Sequence, residues 1–461
     1  MLGVQLAALL DGAAPGVAET LDLVDGFDDV LAHGLARVDE EQAGRLAAMA
    51  GALRDTPLGP AVAEAVEKIT AGSIGDAELA VLAGARTTLL GAVHDAELGR
   101  FDAALGRTRA PWEPPSAASP VDGPLGAGRS WLQELAITGW RGVDHDLVSS
   151  ADQAVSALLG EPRLRGPAVL LDGLAAELRA SCPVATMDRV PARRWADLWA
   201  RALLLLQPGT SGARAAGAVS GRLLPLGVDV HEHGTALQIQ VHGVLEPTDG
   251  SSARLVRASV AAAKVDTIVG PALWRLLDAH LVLLKALAEH RSVDLAELPV
   301  TAGGDLIWRD AQATLGEPAD PFATARLRLT DALAPAAPPL ERHPVRIAEP
   351  VLVEGYTIDG DALTLDGHAL ALDLERLPDC GPLTPELVAA SSACIGLVRW
   401  EAGRWTLQPL AVQATVKRKP VEAHGGDWAL GPTDPKVVKA EARAGDAVAV
   451  LRERAGRLLR R

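Results

Sequence analysis

The sequence predicts an α+β protein of several domains, with helices in the front half and antiparallel sheets with flanking helices in the back half. Three observations carry this. Apolar residues recur every three or four positions through Leu21–Val38, Ala43–Leu53, Ala61–Ile69 and Ala77–Leu90, the spacing of amphipathic helices. Farther on the period drops to two. Leu237, Ile239 and Val241 alternate with Gln238, Gln240 and His242, as in a sheet with one wet face. Strand-like and helix-like segments do not alternate one for one, which argues against a doubly wound sheet.

In chain order, residues 1–110 read as a helical domain, punctuated by Asp11-Gly12, Gly72 and Gly75. Pro111, Pro114, Pro115 and Pro120 keep the chain extended and mark a linker over 110–128. A second helical block covers 129–207. Its last helix, Pro191–Leu206, sets Trp195, Trp199 and Leu203 four residues apart, a core stripe. Residues 217–315 read as an antiparallel β domain: strands Arg222–Val230, Ala236–Leu245 and Ala253–Ala262, then a helix, Pro271–His290. A Pro/Ala-rich linker covers 316–344. The last domain, 344–461, is built on hairpins. Asp359-Gly360 turns one of them, and Ile395–Trp400 pairs with Trp405–Val416 across Gly403. Thr384 caps a short helix with Pro385 at its first position. A basic amphipathic helix, Pro435–Leu459, ends the chain.

Of the 461 residues, 48% are hydrophobic and 22% charged, the balance of a globular chain with a sizeable core. The net charge of −15 opposes nucleic acid or a membrane surface as a partner. It is unevenly spread: residues 1–110 hold 8 basic and 17 acidic side chains, and residues 435–461 hold 8 and 3. Three cysteines, Cys182, Cys380 and Cys394, fit neither a zinc site nor a disulfide framework, so a reducing, cytoplasmic setting is expected. Met1–Leu10 lacks the basic start of a signal peptide. The longest apolar runs, such as Leu281–Leu287, fall far short of the ~20 residues of a membrane span.

Few motifs carry chemistry. Gly123 to Ser130 matches a phosphate loop at Gly123, Gly128 and Ser130, but Arg129 stands where Lys should be and a proline-rich run precedes it, so nucleotide binding is not expected. His231 and His233 are weak metal candidates on an exposed hairpin tip. His242 lies about 27 Å farther along an extended strand, out of their reach. Asp144-His145-Asp146 reads as a polar loop, and Asp359-Gly360-Asp361 as a turn without the remaining calcium ligands. No G-x-S-x-G nucleophile motif is present, and no cofactor is implied.

Two elements read either as packing on their own domain or as docking surfaces for a partner. Trp400 and Trp405 flank a turn with Arg399 and Arg404 beside them, residue types that dominate protein interfaces. In the terminal helix a narrow stripe that includes Leu451 and Leu458 is surrounded by Arg452 and other cations.

Arg189–Leu206, Val256–Leu277 and Cys394–Val412 resemble stretches of uncharacterised bacterial proteins encoded beside MoxR-type AAA+ ATPases, von Willebrand factor A proteins and SWIM zinc-finger proteins. The likeness covers about a quarter of the chain. It implies an accessory member, since no Walker, SWIM or metal-adhesion motif is present. The expected function is therefore a non-enzymatic interaction or adaptor protein, with an AAA+ ATPase or a second copy as partner. The alternative is a hydrolase-type enzyme whose site gathers distant residues, His145 or His231 with carboxylates.

Overall fold

The helical half of the computed structural model comprises α1 (Gly3–Leu10), α2 (Val17–His33), α3 (Glu40–Ala52), α4 (Gly59–Thr70), α5 (Asp76–Ala104), α6 (Leu125–Thr138), α7 (His145–Ser149), α8 (Ala151–Leu159), α9 (Arg165–Ser181) and α10 (Ala192–Leu205). The structure describes residues 1–112, 124–208, 215–301, 303–342, 347–401 and 403–458. Most of the proline-rich linker expected at 110–128 lies outside them. Local chemistry sets the helix ends. At α3, Asp39 accepts from the Gln42 amide while the Gln42 side chain accepts from the Asp39 amide, a reciprocal cap.

Residues of both helical blocks pack into one core around Phe27, Leu46, Leu82, Leu132, Trp195 and Trp199. Each fully buried side chain of this size stabilises the fold by about 1.5–3 kcal/mol. The blocks meet backbone to backbone where α2 and α6 end. Leu35 and Ala36 donate to the carbonyls of Ala136 and Ile137. Gly34 and Gly139 sit there at φ 86° and 75°, and a Cβ on Gly139 would lie 2.3 Å from the Gly34 nitrogen, so only glycine fits. Arg86, buried in this core, donates to both Asp28 oxygens and pairs with Asp197 at 2.7 Å.

The back half holds two sheets, and the α+β class is as the sequence predicts. Among the described residues the first has six strands: β1 (Ala215–Glu232), β2 (Ala236–Pro247), β3 (Arg254–Ala263), β4 (Arg291–Thr301), β5 (Asp305–Leu306) and β6 (Ala313–Pro318). Its order is β1-β2-β3-β5-β4-β6, and β1 pairs with β4 as well, closing a barrel. The long β1 manages this by a bulge between Pro225 and Gly227; its first half faces β4 and its second half β2. All pairings are antiparallel except β3 with β5. Between β3 and β4 run a 3₁₀ segment, Gly270–His280, and α11 (Leu281–Ala288). They replace the single helix expected at 271–290, because Leu277 leaves helical geometry (φ −103°, ψ 16°).

After α12 (Pro321–Arg328) comes the second sheet: β7 (Ala348–Glu354), β8 (Thr357–Asp359), β9 (Ala362–Leu365), β10 (His368–Leu372), then α13 (Pro385–Ala389), β11 (Ser391–Glu401), β12 (Arg404–Val416) and β13 (Lys419–His424). The order β7-β11-β12-β10-β9-β8, with β13 on β12, repeats the first sheet's plan if β7 and β8 count as one broken strand. The segment begins on β11 and ends on β9; β10 and β12 are parallel; a helix separates β10 from β11. Both sheets thus have the connectivity of the five-stranded Greek-key barrel called the OB-fold, a fold that fixes no function by itself.

The stretch 316–344, expected as a linker, contains α12. Its Phe322 and Leu329 fill the gap between the barrels with Leu226 and Leu255 from one and Ile395 from the other. α5 serves two cores, with Leu79–Leu90 in the helical one, and Val93, Leu98 and Phe101 against the second barrel. The terminal helix breaks at Gly445 (φ 80°) into α14 (Pro435–Ala444) and α15 (Ala447–Leu458).

Candidate functional site

The polar residues of the back half gather where the barrels meet each other and the helical unit. On β1, Asp229 and His231 are two apart and so share a face; that face meets β11 and β12. Gln408 donates to Asp229 Oδ1 at 2.8 Å, and Arg399 donates to Gln408 Oε1 at 2.9 Å and to Asp229 Oδ2 at 3.3 Å. His231 Nε2 lies 3.0 Å from the same carboxylate. Burial alone raises the Asp229 pKa, but these hydrogen bonds and the arginine charge outweigh it and hold the group well below the usual carboxylate range. Glu401 extends the network to Arg376 at 2.7 Å.

Next to this seam lies a cavity of about 60 Å³, enough for a few waters. His94 and Arg109 reach it from the helical unit, His242 and Asp305 from the first barrel, and Glu349 from the second. Arg109 pairs with Asp102 at 3.0 Å and with Glu349 at 3.2 Å, tying α5 to β7. Arg257 donates to both oxygens of Asp305. His242 is fully buried, and its Nε2 has no hydrogen-bond partner among the described residues. Burial, helped by the Arg257 charge, pushes its pKa down to about 3, so the ring is neutral at physiological pH.

Among the described residues, one group of metal-ligating side chains converges: His290, Glu422 and His424, with ligand atoms all within 4.8 Å of one another. His290 stands in the turn just before β4 of the first barrel; the other two alternate on β13 of the second.

No family model, curated protein or solved structure matches this chain.

Of the two readings of the hairpin tryptophans and the terminal helix, packing on the protein's own cores is the one the structure has. Trp400 and Trp405 are 3% and 7% exposed and face each other across the hairpin. Trp405 stacks on Phe101 at 5.8 Å, so the pair builds the contact to α5 and offers no open docking surface. Arg399 is buried in the seam, and only Arg404 of that set is exposed. Gly123 lies outside the described residues. Gly128, Arg129 and Ser130 are inside α6, past where a phosphate loop would wrap its ligand. Arg129 instead pairs with Asp76 at 2.7 Å, and Gly128 lets Leu206 and Leu171 approach. His145 opens α7 behind the cap Asp144 and is exposed. His231 is held by Asp229, and His233 sits on the exposed hairpin tip.

The terminal helices dock on their own chain. Val448 is buried in the first barrel's core, and Leu451 packs beside it. Arg275 pairs with Glu441 and Asp446, and Arg452 with Asp278 at 2.7 Å. Leu458 closes α15, but its side chain is not among those described. Sequence reading missed His290 and His424 because 134 positions separate them; the one local signal was Glu-x-His on a strand, which puts Glu422 and His424 on one face.

Proposed function

We propose that the chain is a non-enzymatic interaction protein, an adaptor in an assembly centred on an ATPase of the AAA+ type. The observation that carries the reading is how charge divides between interior and surface. Inside, Arg86, Arg109, Arg257 and Arg399 are committed to ion pairs, and those of Arg109 with Glu349 and Arg399 with Asp229 join one unit to another. Outside, α2–α4 and the turns beside them expose acidic side chains such as Asp11, Glu19, Asp22, Glu40, Asp55 and Glu67. At the other end, Lys436, Lys439, Arg443, Arg452 and Arg454 face solvent while Val448 holds the helices down. Two separated faces of opposite sign steer partners of opposite charge, and a second copy is one such partner.

The test is capture of an AAA+ ATPase co-expressed with the full chain, with light scattering for self-association. Complex formation is expected to weaken as salt rises, because screening acts over about 8 Å at physiological ionic strength. It is expected to fail when Asp22, Glu40 and Glu67 are changed to Lys. A protein that stays monomeric and alone at every salt concentration sinks the proposal, as does nucleotide turnover by the purified chain that vanishes with Arg129→Ala.

The junction cavity favours a second reading, a hydrolase whose site joins His94 and His242 to Asp305 and Glu349. Neutral His242 would act there as a hydrogen-bond acceptor, since a ring whose pKa is pushed down to about 3 is too weak a base to take up the proton itself. Turnover of an ester, peptide or phosphoester that disappears with His242→Gln supports it; a full panel with no such turnover removes it.

A further inference from the structure

We propose that His290, Glu422 and His424 form a binding site for a divalent transition-metal ion, zinc above others, that ties the first barrel to the second. The proposal stands apart from the adaptor reading and needs no partner. Two imidazoles and a carboxylate are a donor set suited to zinc, and three protein ligands leave one position for water. Glu422 Oε1 and His424 Nε2 already stand 2.8 Å apart. Ligands bonded at about 2.0–2.1 Å to one ion lie roughly 3.4 Å from each other in a tetrahedron. The three ligand atoms all lie within 4.8 Å of one another, so they bracket that spacing.

Three further features fit a metal. Asp427 Oδ1 lies 2.8 Å from His290 Nε2, and Asp427 Oδ2 accepts from the His424 amide at 3.0 Å. An imidazole that donates one N–H to a carboxylate presents its other nitrogen to an ion, the usual support of a metal-bound histidine. Here that nitrogen is Nδ1. Second, His290 holds φ at 48°, a left-handed conformation that costs a non-glycine residue energy, in the turn between α11 and β4. Third, a cavity of about 10 Å³, the room one water-sized body needs, is lined by His290 and His424 with Leu226, Leu287, Pro321 and Arg291; Glu422 is not part of that lining. Phe322 meets the edge of the His424 ring at 5.7 Å and closes the apolar side. Gln413 donates to Glu422 Oε2 at 2.7 Å, while Oε1 makes the 2.8 Å hydrogen bond to His424 Nε2, which a bound ion would replace.

The experiment uses the full chain, stripped with a chelator and titrated with Zn²⁺ by calorimetry, with Co²⁺ as a spectroscopic probe. One equivalent of zinc is expected to bind, raising Tm, and the chelator is expected to reverse the rise. Cobalt should give the intense visible bands of a low-coordinate site. The double variant His290→Gln, Glu422→Gln removes two partly exposed ligands and should bind at least about 100-fold more weakly with an unchanged circular dichroism spectrum. If that variant misfolds, Asp427→Ala serves in its place, with an expected loss of about 10–100-fold. His231→Gln, His233→Gln should leave binding intact. The proposal is overturned if the wild type takes up neither ion, or if the ligand variants bind as the wild type does.

Discussion

The first barrel is covered by its own surroundings. Leu273, Trp274 and Leu277 of the 3₁₀ segment lie against it, and Val448 of α15 closes the same core. The second barrel borrows its cover from the far end of the chain: Leu6 and Leu9 of α1 and Phe101 of α5 pack on Tyr356, Leu363 and Trp405. The connectivity is the same, yet one barrel is closed from within the back half, by the 3₁₀ segment beside it and α15 from the last stretch of the chain, and the other by the helical unit. Strand order therefore says little about what a barrel face will meet. The difference also explains the two strands that carry metal-capable residues at alternate positions. His231 and His233 run out to an open tip. Glu422 and His424 run along a seam where the other barrel supplies His290.

The sharpest way to break this comparison is at the borrowed cover. Trp405→Ala should cost about 3–5 kcal/mol, the range for a large aromatic removed from a core. Because its partner is Phe101, the loss should also make the junction between α5 and the second barrel open to limited proteolysis. Trp274→Ala should cost a similar amount and leave that junction closed, since Trp274 packs in the other core and donates to Cys380. Equal exposure of the junction in both variants would mean that the covers are not independent.

The seam between the barrels comes next. A double-mutant cycle on Asp229→Ala and Arg399→Met should give a coupling of about 1–3 kcal/mol, as for contacting groups in one buried network. Asp229 has a folded pKa below its unfolded value of about 3.9. Its stabilising contribution is therefore complete above pH 4 and is lost as pH falls through the lower, folded value. In urea titrations below pH 4 the wild type should lose stability more steeply than Asp229→Asn; parallel curves would show that the carboxylate does not titrate in this window. The smallest effect is expected at Arg452→Ala. Its pair with Asp278 is about half exposed on both sides, so the change should stay within about 1 kcal/mol by thermal melting.

Much of the fold was legible because local rules decide it. Thr384 accepts from the Leu387 amide, as its position before Pro385 implies. Leu237, Ile239 and Val241 are buried while Gln238 is exposed, as alternation implies, but the expected wet face ends there: Gln240 is half-buried and His242 is fully buried where the barrel meets its neighbours. Barrel closure was not legible, because it rests on β1 meeting β4 some 80 residues later, and nothing in either strand names the other. The shared plan of the barrels escaped notice for a related reason: β1 is continuous, whereas the equivalent strand is broken into β7 and β8. For Trp400 and Trp405 the sequence left packing and docking both open, because a turn with charged neighbours fits either. What decides Trp405 is Phe101, about 300 residues away, which no local pattern names. The same distance problem hid His290 from His424.

The stacking of Phe101 on Trp405 has a consequence for how the chain is made. At about 5–20 residues per second, a ribosome needs on the order of 15–60 seconds to pass from one to the other. The helical unit can fold well within that time, since its own core is complete without either barrel. During the wait α5 carries Val93, Leu98 and Phe101 with nothing to cover them, next to the apolar α1. A newly made chain thus spends its first minute with a greasy face open to chaperones and to other nascent copies, and that face disappears when the second barrel arrives.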